Sequence, residues 1–284
     1  MSNSPGFVVL NYVNHRETVA CVESILALPG APRIVVVDNL SPNDSFAVLE
    51  QAFRGHPQVT VLQAGRNGGY SAGNNVGIDA LRQAGVFDVV IATSDTRVES
   101  TDLLERCAAA KRDGVAVLGP YIRSPAPGSQ NPMLPRLTLQ YIAATHFGKV
   151  WTRLKALAFR TLLRGHVPAT PHDSADNLSA PVDVYMVHGC FLYLSEHYLR
   201  QFPRLDEDLF MYGEEDLISF NCMRRGLRVV YDPRMRIYHG DGKSTHKEGE
   251  RLDAFRNRGF ALSLSTLRKK MPLGALIHAY VRGA

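Results

Sequence analysis

The chain has 284 residues, 45% hydrophobic and 21% charged. These are the proportions of a folded globular protein and exclude global disorder. The net charge of +5 suits anionic ligands or an anionic membrane surface, and none of the usual nucleic-acid-binding modules is present.

Phe7–Leu10 reads as a first buried strand ending in Asn11-Tyr12. A helix from about Arg16 to Leu28 follows, with Val19, Val22, Ile25 and Leu26 on one face and Pro29-Gly30 as its stop. Ile34–Val37 is a second strand, β-branched throughout, ending in Asp38-Asn39. The turn-forming loop Ser41–Asp44 leads into a short helix with Val48, Leu49 and Phe53, for which Asp44 is a candidate cap. Val59–Leu62 is a third strand, and a helix opens around Ser71 and runs to about Gln83. The stretch Phe87–Val98 starts as a buried strand and turns polar at its end, with Asp95 just past the apolar part. A helix Thr101–Arg112 and a strand Val115–Leu118 follow. Alternating strands and helices with short connections predict an α/β fold, its mostly parallel sheet covered on both faces.

From Pro120 the composition shifts. Tyr121–Pro135 is rich in Pro, Gly and Ser, and no Asp or Glu occurs between Arg123 and His172. Leu137–Leu163 carries Tyr141, Phe147, Val150, Trp151, Leu154, Ala158 and Leu162 at helical spacing, among Arg136, Lys149, Arg153, Lys155, Arg160 and Arg164. Two readings stand: a basic amphipathic segment on a membrane surface, and a helical lid with a solvated basic face. A linker, Pro168–Pro181, leads to strands Val182–Val187 and Phe191–Leu194 around His188-Gly-Cys190, with Ser195 as a helix cap. The acid-rich Arg204–Asp216 opens a helix that ends at Gly226, a C′ glycine. Arg228–Tyr231 and Met235–Tyr238 read as two short strands around Asp232-Pro233. His239–Ser244 is a polar loop, and the tail from Glu250 is helical, with Arg268-Lys-Lys270.

Cys21, Cys107, Cys190 and Cys222 are widely spread with no CxxC pair, so reduced thiols in a cytoplasmic setting are expected. Met1–Gly6 lacks the basic start of a signal peptide, and no apolar run approaches the ~20 residues that span a bilayer.

In an open α/β sheet, ligands sit beyond the carboxyl ends of the strands. Asp95 stands there as a metal ligand or as a turn former, and Asp38 as a partner for a base or ribose or as an Asx-turn. Gly65–Gly77 is neither the dinucleotide fingerprint nor a P-loop. It either turns backbone N–H groups toward a phosphate, with Asn67, Asn74 and Asn75 adding amides, or serves close helix packing. Glu214, Glu215 and Asp216 complement a helix dipole, or one of them is a general base. His239 would join Asp95 through one Mn²⁺ or Mg²⁺.

Together these stretches resemble the family 2 glycosyltransferases, in particular a rhamnosyltransferase-like branch. Asn11-Tyr12 looks like the first-strand motif and Val35–Asn39 with Ser41 like the nucleotide-base motif. Arg66–Asn75 is similar to N-x-G-[FY]-x-x-G-x-N. Thr93-Ser-Asp95 stands at the metal-binding D-x-D, Phe210–Glu215 at F-M-Y-x-E-D, and His239–Ser244 at H-x-x-G-x-S. The resemblance implies a GT-A fold. Residues 1–120 would form the nucleotide-sugar half, 121–180 a basic helical insertion and linker, 181–245 the acceptor half and 246–284 a helical tail. It implies inverting transfer from a nucleotide-diphosphate sugar, with dTDP-rhamnose as best guess, to a cell-surface glycan or lipid-linked acceptor. The basic segment and tail predict peripheral association of a cytoplasmic protein with the inner face of the membrane. Asn11, Tyr12, Asp38, Asn39, Asn67, Gly68, Gly69, Gly73, Asn74 and Ser94 would bind the nucleotide, and Asp95 and His239 the metal. Glu215 would be the base, with Glu214 and Asp216 as alternatives. The chain departs from the pattern in having one acid at the D-x-D, Glu-Glu for Glu-Asp, and Asn221 where an Arg is frequent. A nucleotidyltransferase would want a glycine-rich, basic loop after the first strand, which Asn11–His15 does not supply. A non-catalytic sugar-nucleotide binder is the third reading.

Overall fold

The computed structural model describes residues 4–148, 178–240 and 252–283. Lys149, Val150, Trp151, Arg153, Leu154, Lys155, Ala158, Arg160, Leu162, Arg164, linker residues 168–177 and loop residues Asp241–Ser244 lie outside them.

The first half runs β1 (Gly6–Asn11), α1 (His15–Leu26), β2 (Ile34–Asp38), α2 (Ser45–Ala52), β3 (Val59–Gln63), α3 (Gly69–Gln83), β4 (Val89–Thr93), β5 (Thr96–Val98), α4 (Leu103–Arg112) and β6 (Val115–Arg123). A helical stretch covers 139–148. The second half runs β7 (Val182–Asp183), β8 (Phe191–Leu194), α5 (Glu196–Gln201), α6 (Glu214–Arg225), β9 (Arg228–His239), α7 (Leu252–Lys270) and α8 (Leu273–Val281).

All nine strands form one sheet in the order β3-β2-β1-β4-β8-β6-β9-β5, with β7 on β9. β3, β2, β1 and β4 are mutually parallel, and β6 runs parallel to β9. β8 runs antiparallel to both its neighbours, as does β5 to β9. The strands are apolar on both faces because both faces are covered. Phe7, Val9, Ile34, Val36, Val90, Ala92, Phe191 and Tyr193 pack with α1, α2 and α4. The alternate residues Val8, Val35, Val37, Val89, Ile91, Leu192 and Leu194 pack with α3, α5 and α6. Each fully buried Val, Ile, Leu or Phe contributes ~1.5–3 kcal/mol, so this double layer dominates the favourable side of folding. A third cluster joins Ile142, Leu217, Phe220, Leu267, Met271 and Leu276, and so binds the 139–148 stretch, α7 and α8 to α6.

Several elements differ from the sequence reading. Arg228–Tyr231 and Met235–Tyr238 are one strand, β9, because the register against β6 shifts between Asp232 and Arg236 and the proline falls in that shift. Val182–Val187 is a strand only at Val182–Asp183; beyond it, Met186 bridges Leu134. Thr96–Val98 forms a further strand against β9. Asp44 and Ser195 stand at N-cap positions without a side-chain cap bond. Ser195 Oγ donates instead to the Ala116 carbonyl, and Asp88 Oδ1 accepts from the Glu196 amide at 2.8 Å.

Candidate functional site

The carboxyl ends of β1, β2 and β4 open on the same side of the sheet. At the first two, Asn11 and Asp38 face each other and are fully buried. Asp38 Oδ1 accepts from Asn11 Nδ2 at 2.7 Å and from Ser41 Oγ at 2.6 Å, and Oδ2 accepts from the Ser41 amide at 2.9 Å. Thr18 Oγ1 donates to Asn11 Oδ1 at 2.8 Å. Asp38 is thus the hub that fixes both strand-end loops, with the i+3 amide bond of a turn former. Tyr12 and Leu40 stand beside it, 37% and 44% exposed. Leu40 has a φ of 55° and Val13 one of 56°, so both loops turn sharply at this point.

Asn39 Nδ2 donates to Asn67 Oδ1 at 3.0 Å and to the Gly69 carbonyl at 3.1 Å, which ties the second strand end to the start of α3. Gly69 has a φ of 80°, and a Cβ there would lie 1.8 Å from the Phe210 carbonyl oxygen. That carbonyl accepts from the Tyr70 amide at 2.8 Å. Cβ atoms on Gly73 and Gly77 would reach within 2.4 Å of Leu10 and Val8, so the two glycines let α3 press on β1. Gly68 caps α3 by position, and α3 opens at Gly69, two residues before Ser71. Asn74 Nδ2 donates to the Tyr70 carbonyl, while Asn75 bonds the Leu205 backbone through both its amide atoms and Glu207 Oε1 at 2.8 Å. The buried oxygens Asn39 Oδ1 and Asn74 Oδ1 have no hydrogen-bond partner among the described residues.

Asp95 sits in the turn from β4 to β5, where Ser94 is also buried. Because Thr96 pairs with His239, the register of β5 on β9 sets His239 beside Asp95, with Nε2 3.5 Å from Oδ1. Asp95 Oδ1 also accepts from Thr93 Oγ1 at 2.9 Å. His239 Nδ1 bonds Gln130 Oε1 at 2.7 Å, which leaves Nε2 facing the carboxylate. His188 stacks edge-on to His239 with ring centroids 5.6 Å apart, and the Cys190 amide donates to His188 Nδ1 at 3.0 Å. Burial alone would raise the Cys190 thiol, but the His188 and His239 rings beside it bring it down to about 7. Burial opposes charge on His239, and Cys190 with Asp95 outweighs it, so the imidazole is raised.

The three acids open α6. Gly213, with a φ of 97°, swings the chain into the helix. Glu214 is buried, its Oε2 has no hydrogen-bond partner among the described residues, and burial with the adjacent Glu215 pushes it well above the carboxylate range. Asp216 is buried, accepts from the Tyr141 hydroxyl, and is pushed up to about 7 by burial and by Glu215. Glu215 remains partly exposed, and its Oε1 accepts from the Gly189 amide at 3.0 Å. Tyr70 Oη donates to the Gly189 carbonyl at 2.6 Å. One peptide segment, 188–190, therefore touches both the acid run and the Asp95–His239 pair.

A family model described as glycosyltransferase-like family 2 matches residues 5–259. The chain belongs to this family. The "Low-salt glycan biosynthesis hexosyltransferase Agl10" of Haloferax volcanii is 26% identical over 232 residues, 81% of this chain and 64% of that relative. The chain thus spans less than two thirds of that relative. Among solved structures, GalNAc-T7 with UDP, GalNAc and Mn²⁺ superposes with a TM-score of 0.59 at 15% identity, over 84% of this chain and 44% of that one. The mannosyltransferase PcManGT from Pyrobaculum calidifontis, in complex with GDP-Man and Mn²⁺, gives 0.56 at 15% identity, over 97% and 70%. S. aureus TarS with UDP-GlcNAc gives 0.54 at 16% identity, over 88% and 61%. At these identities the likeness is one of fold, and the fold is GT-A.

In this family 2 chain the predicted metal donors are two, Asp95 and His239. Among the described residues no three His, Cys, Asp or Glu side chains form a ligand set. An imidazole nitrogen opposite one carboxylate fits a hard dication that keeps water and phosphate oxygens in its other positions, and does not make an all-protein cage. Gln130, His188, Gly189, Cys190 and Tyr141 are the site residues that sequence reasoning missed. His188-Gly-Cys190 was visible as a polar break between two strands, but only the topology puts it against Asp95.

Proposed function

We propose that this family 2 glycosyltransferase moves a sugar from a nucleoside-diphosphate donor to a hydroxyl acceptor with inversion, and that Glu215 is the base. The observation that carries the reading is the meeting of Glu215 with the Asp95–His239 pair across segment 188–190, at the carboxyl ends of the strands that hold Asn11 and Asp38. Of the three acids, Glu214 and Asp216 are buried and pushed toward the neutral form, while Glu215 is held by one amide and reaches solvent. The acceptor O–H proton passes to Glu215, the acceptor oxygen bonds the anomeric carbon, and the bond from that carbon to the diphosphate oxygen breaks. General-base help of this kind contributes ~10²–10⁴ in rate. Asp95 and His239 would hold Mn²⁺ or Mg²⁺, which when bound neutralises the departing diphosphate.

On the donor side, Asp38 positions Asn11 and Ser41, and Tyr12, Asn39, Ser94 and the Asn67–Asn74 segment line the nucleotide. Residues 1–120 form the donor half, 181–245 the acceptor half, 121–180 an insertion and 246–284 a tail. The donor is dTDP-rhamnose, on the resemblance of the six stretches together to the rhamnosyltransferase-like branch, and the acceptor a glycan or a lipid-linked sugar.

A thermal-shift panel of UDP, dTDP, GDP and CDP with Mn²⁺, Mg²⁺ or EDTA tests this, since a ligand of the native state raises stability by RT ln(1 + [L]/Kd). The expected result is a dTDP shift that needs the metal and disappears in Asp95→Ala. Glu215→Gln is expected to keep that shift and to lose nucleotide release from the donor sugar. A metal-independent shift takes metal binding away from Asp95 and His239, and no shift with any nucleotide overturns the whole reading.

A further inference from the structure

Described parts of the two acid-free stretches of the sequence meet in one layer. No Asp or Glu occurs between Arg123 and His172 or after Asp253, and these two stretches hold twelve Lys and Arg. The excess for the whole chain is only +5, so the remainder is net acidic and the charge is polarised. Residues 139–148 come from the first stretch, and α8 with nearly all of α7 from the second. Their inner sides bury Ile142, Leu267, Met271 and Leu276 together, and Arg268 Nε donates to the Thr145 carbonyl at 2.9 Å.

This layer carries half of the exposed large hydrophobic side chains of the described residues. Twelve large hydrophobic side chains are exposed among the described residues, and six are here: Leu139, Phe147, Leu262, Ile277, Tyr280 and Val281. On α8, Ile277, Tyr280 and Val281 are spaced i, i+3 and i+4 and so share one stripe, beside the buried Leu276. Val281 is 77% exposed. Arg268 and Lys269 at the end of α7 and Arg282 just after α8 are exposed as well, and no acid of the described residues pairs with Lys269 or Arg282.

We propose that this face, centred on Ile277, Tyr280 and Val281, lies on an anionic lipid surface. An apolar stripe with a tyrosine, accompanied by unpaired cations, matches the chemistry of a helix lying in the interface plane. The cations are drawn to anionic headgroups within a Debye length. A second copy fits this face poorly, since pairing it with itself would bring two sets of the unpaired cations Lys269 and Arg282 into one interface. Lipid docking by this face does not depend on glycosyl transfer.

The test is flotation of the full chain with phosphatidylcholine vesicles, with and without phosphatidylglycerol, over a salt series. Thermal unfolding and light scattering are run alongside. Two variants are compared: Ile277→Ser with Val281→Ser, and Lys269→Glu with Arg282→Glu. Binding is expected only to anionic vesicles, falling with salt, and about tenfold or more weaker in each variant. Unchanged melting temperatures and mass are expected in both variants. No flotation, or flotation that neither variant weakens, overturns the proposal. So does a wild-type dimer that the serine variant makes monomeric, since the face would then belong to a second copy. A fall in the melting temperature of the serine variant overturns it too, because the stripe would then be covered by the chain itself.

Discussion

Asp216→Asn isolates the cost of burying acid at the start of α6. Burial, reinforced by Glu215, raises Asp216 from 3.8 to about 7 despite the Tyr141 hydroxyl. The native state therefore binds a proton that the unfolded chain has already released, and between these values stability falls as pH rises. Below about 4 both states are protonated and the stability is fully present; above about 7 it is lost. The gap corresponds to ~4 kcal/mol at pH 8, of which under ~2 kcal/mol is already lost at pH 5. The asparagine keeps an oxygen for Tyr141 and does not titrate. Any fixed penalty of the extra NH₂ is the same at every pH and cancels in the comparison. Urea melts of both proteins from pH 5 to pH 8 are expected to show the variant gaining ~2–3 kcal/mol on the wild type across that range, or ~5 °C in melting temperature. Glu214 moves the result the same way, because neutralising Asp216 removes one of the charges that raise it. Parallel stability curves would refute the argument, since Asp216 would then be ionised in the native state at no cost.

Three further outcomes are expected. Gly69→Ala forces a Cβ onto the Phe210 carbonyl at a positive φ, so the melting temperature is expected to fall by an amount matching ~3 kcal/mol or more, with loss of activity; a stable, active alanine variant would mean the 210–213 loop yields freely. Tyr70→Phe leaves the Gly189 carbonyl without its donor and costs ~1–3 kcal/mol; because Gly189 holds Glu215, kcat is expected to fall more than KM changes. Gln130→Ala frees His239 Nδ1, and the metal-dependent nucleotide shift is expected to weaken roughly tenfold or more, as for other lost partners of ligating histidines; an unchanged titration with Mn²⁺ would show that Gln130 does not orient the ring.

The buried strands were legible because covering both faces of a sheet makes a strand a contiguous apolar run, as in Ile34–Val37 and Phe191–Leu194. The acids at their ends were legible for the same reason, since a polar residue after such a run has only the strand end to occupy. Pro233 hid β9, because a proline that would break a ladder elsewhere falls where β6 and β9 are out of register. β5 is too short to show a pattern in Thr96–Val98. The caps misled because Ser195 and Asp44 sit at the right positions while other side chains bond the helix starts. His188 and Cys190 carried no signal of a site, for their neighbours come from strands distant in the sequence.

The reversal of β8 is what joins the two halves of the site. β8 runs antiparallel to β4, with Ala92 opposite Phe191. Its first residues therefore lie at the carboxyl end of β4, and the Thr93 amide donates to the Cys190 carbonyl at 2.9 Å. A parallel β8 would have put its start at the far edge of the sheet, away from Asp95. As it stands, segment 188–190 arrives beside Asp95 and His239 on one side, and on the other offers its Gly189 amide to Glu215. The aromatic residue of the glycine-rich stretch, Tyr70, holds the opposite end of that same Gly189 unit. A Cβ on Gly189 would come within 2.7 Å of Glu215 Oε1, so a larger residue there would push the Glu215 carboxylate aside. The distance from Glu215 to the Asp95–His239 pair is thus set by one short backbone segment. Substitutions on α3 that shift Tyr70 should for this reason disturb Glu215 before they disturb the nucleotide.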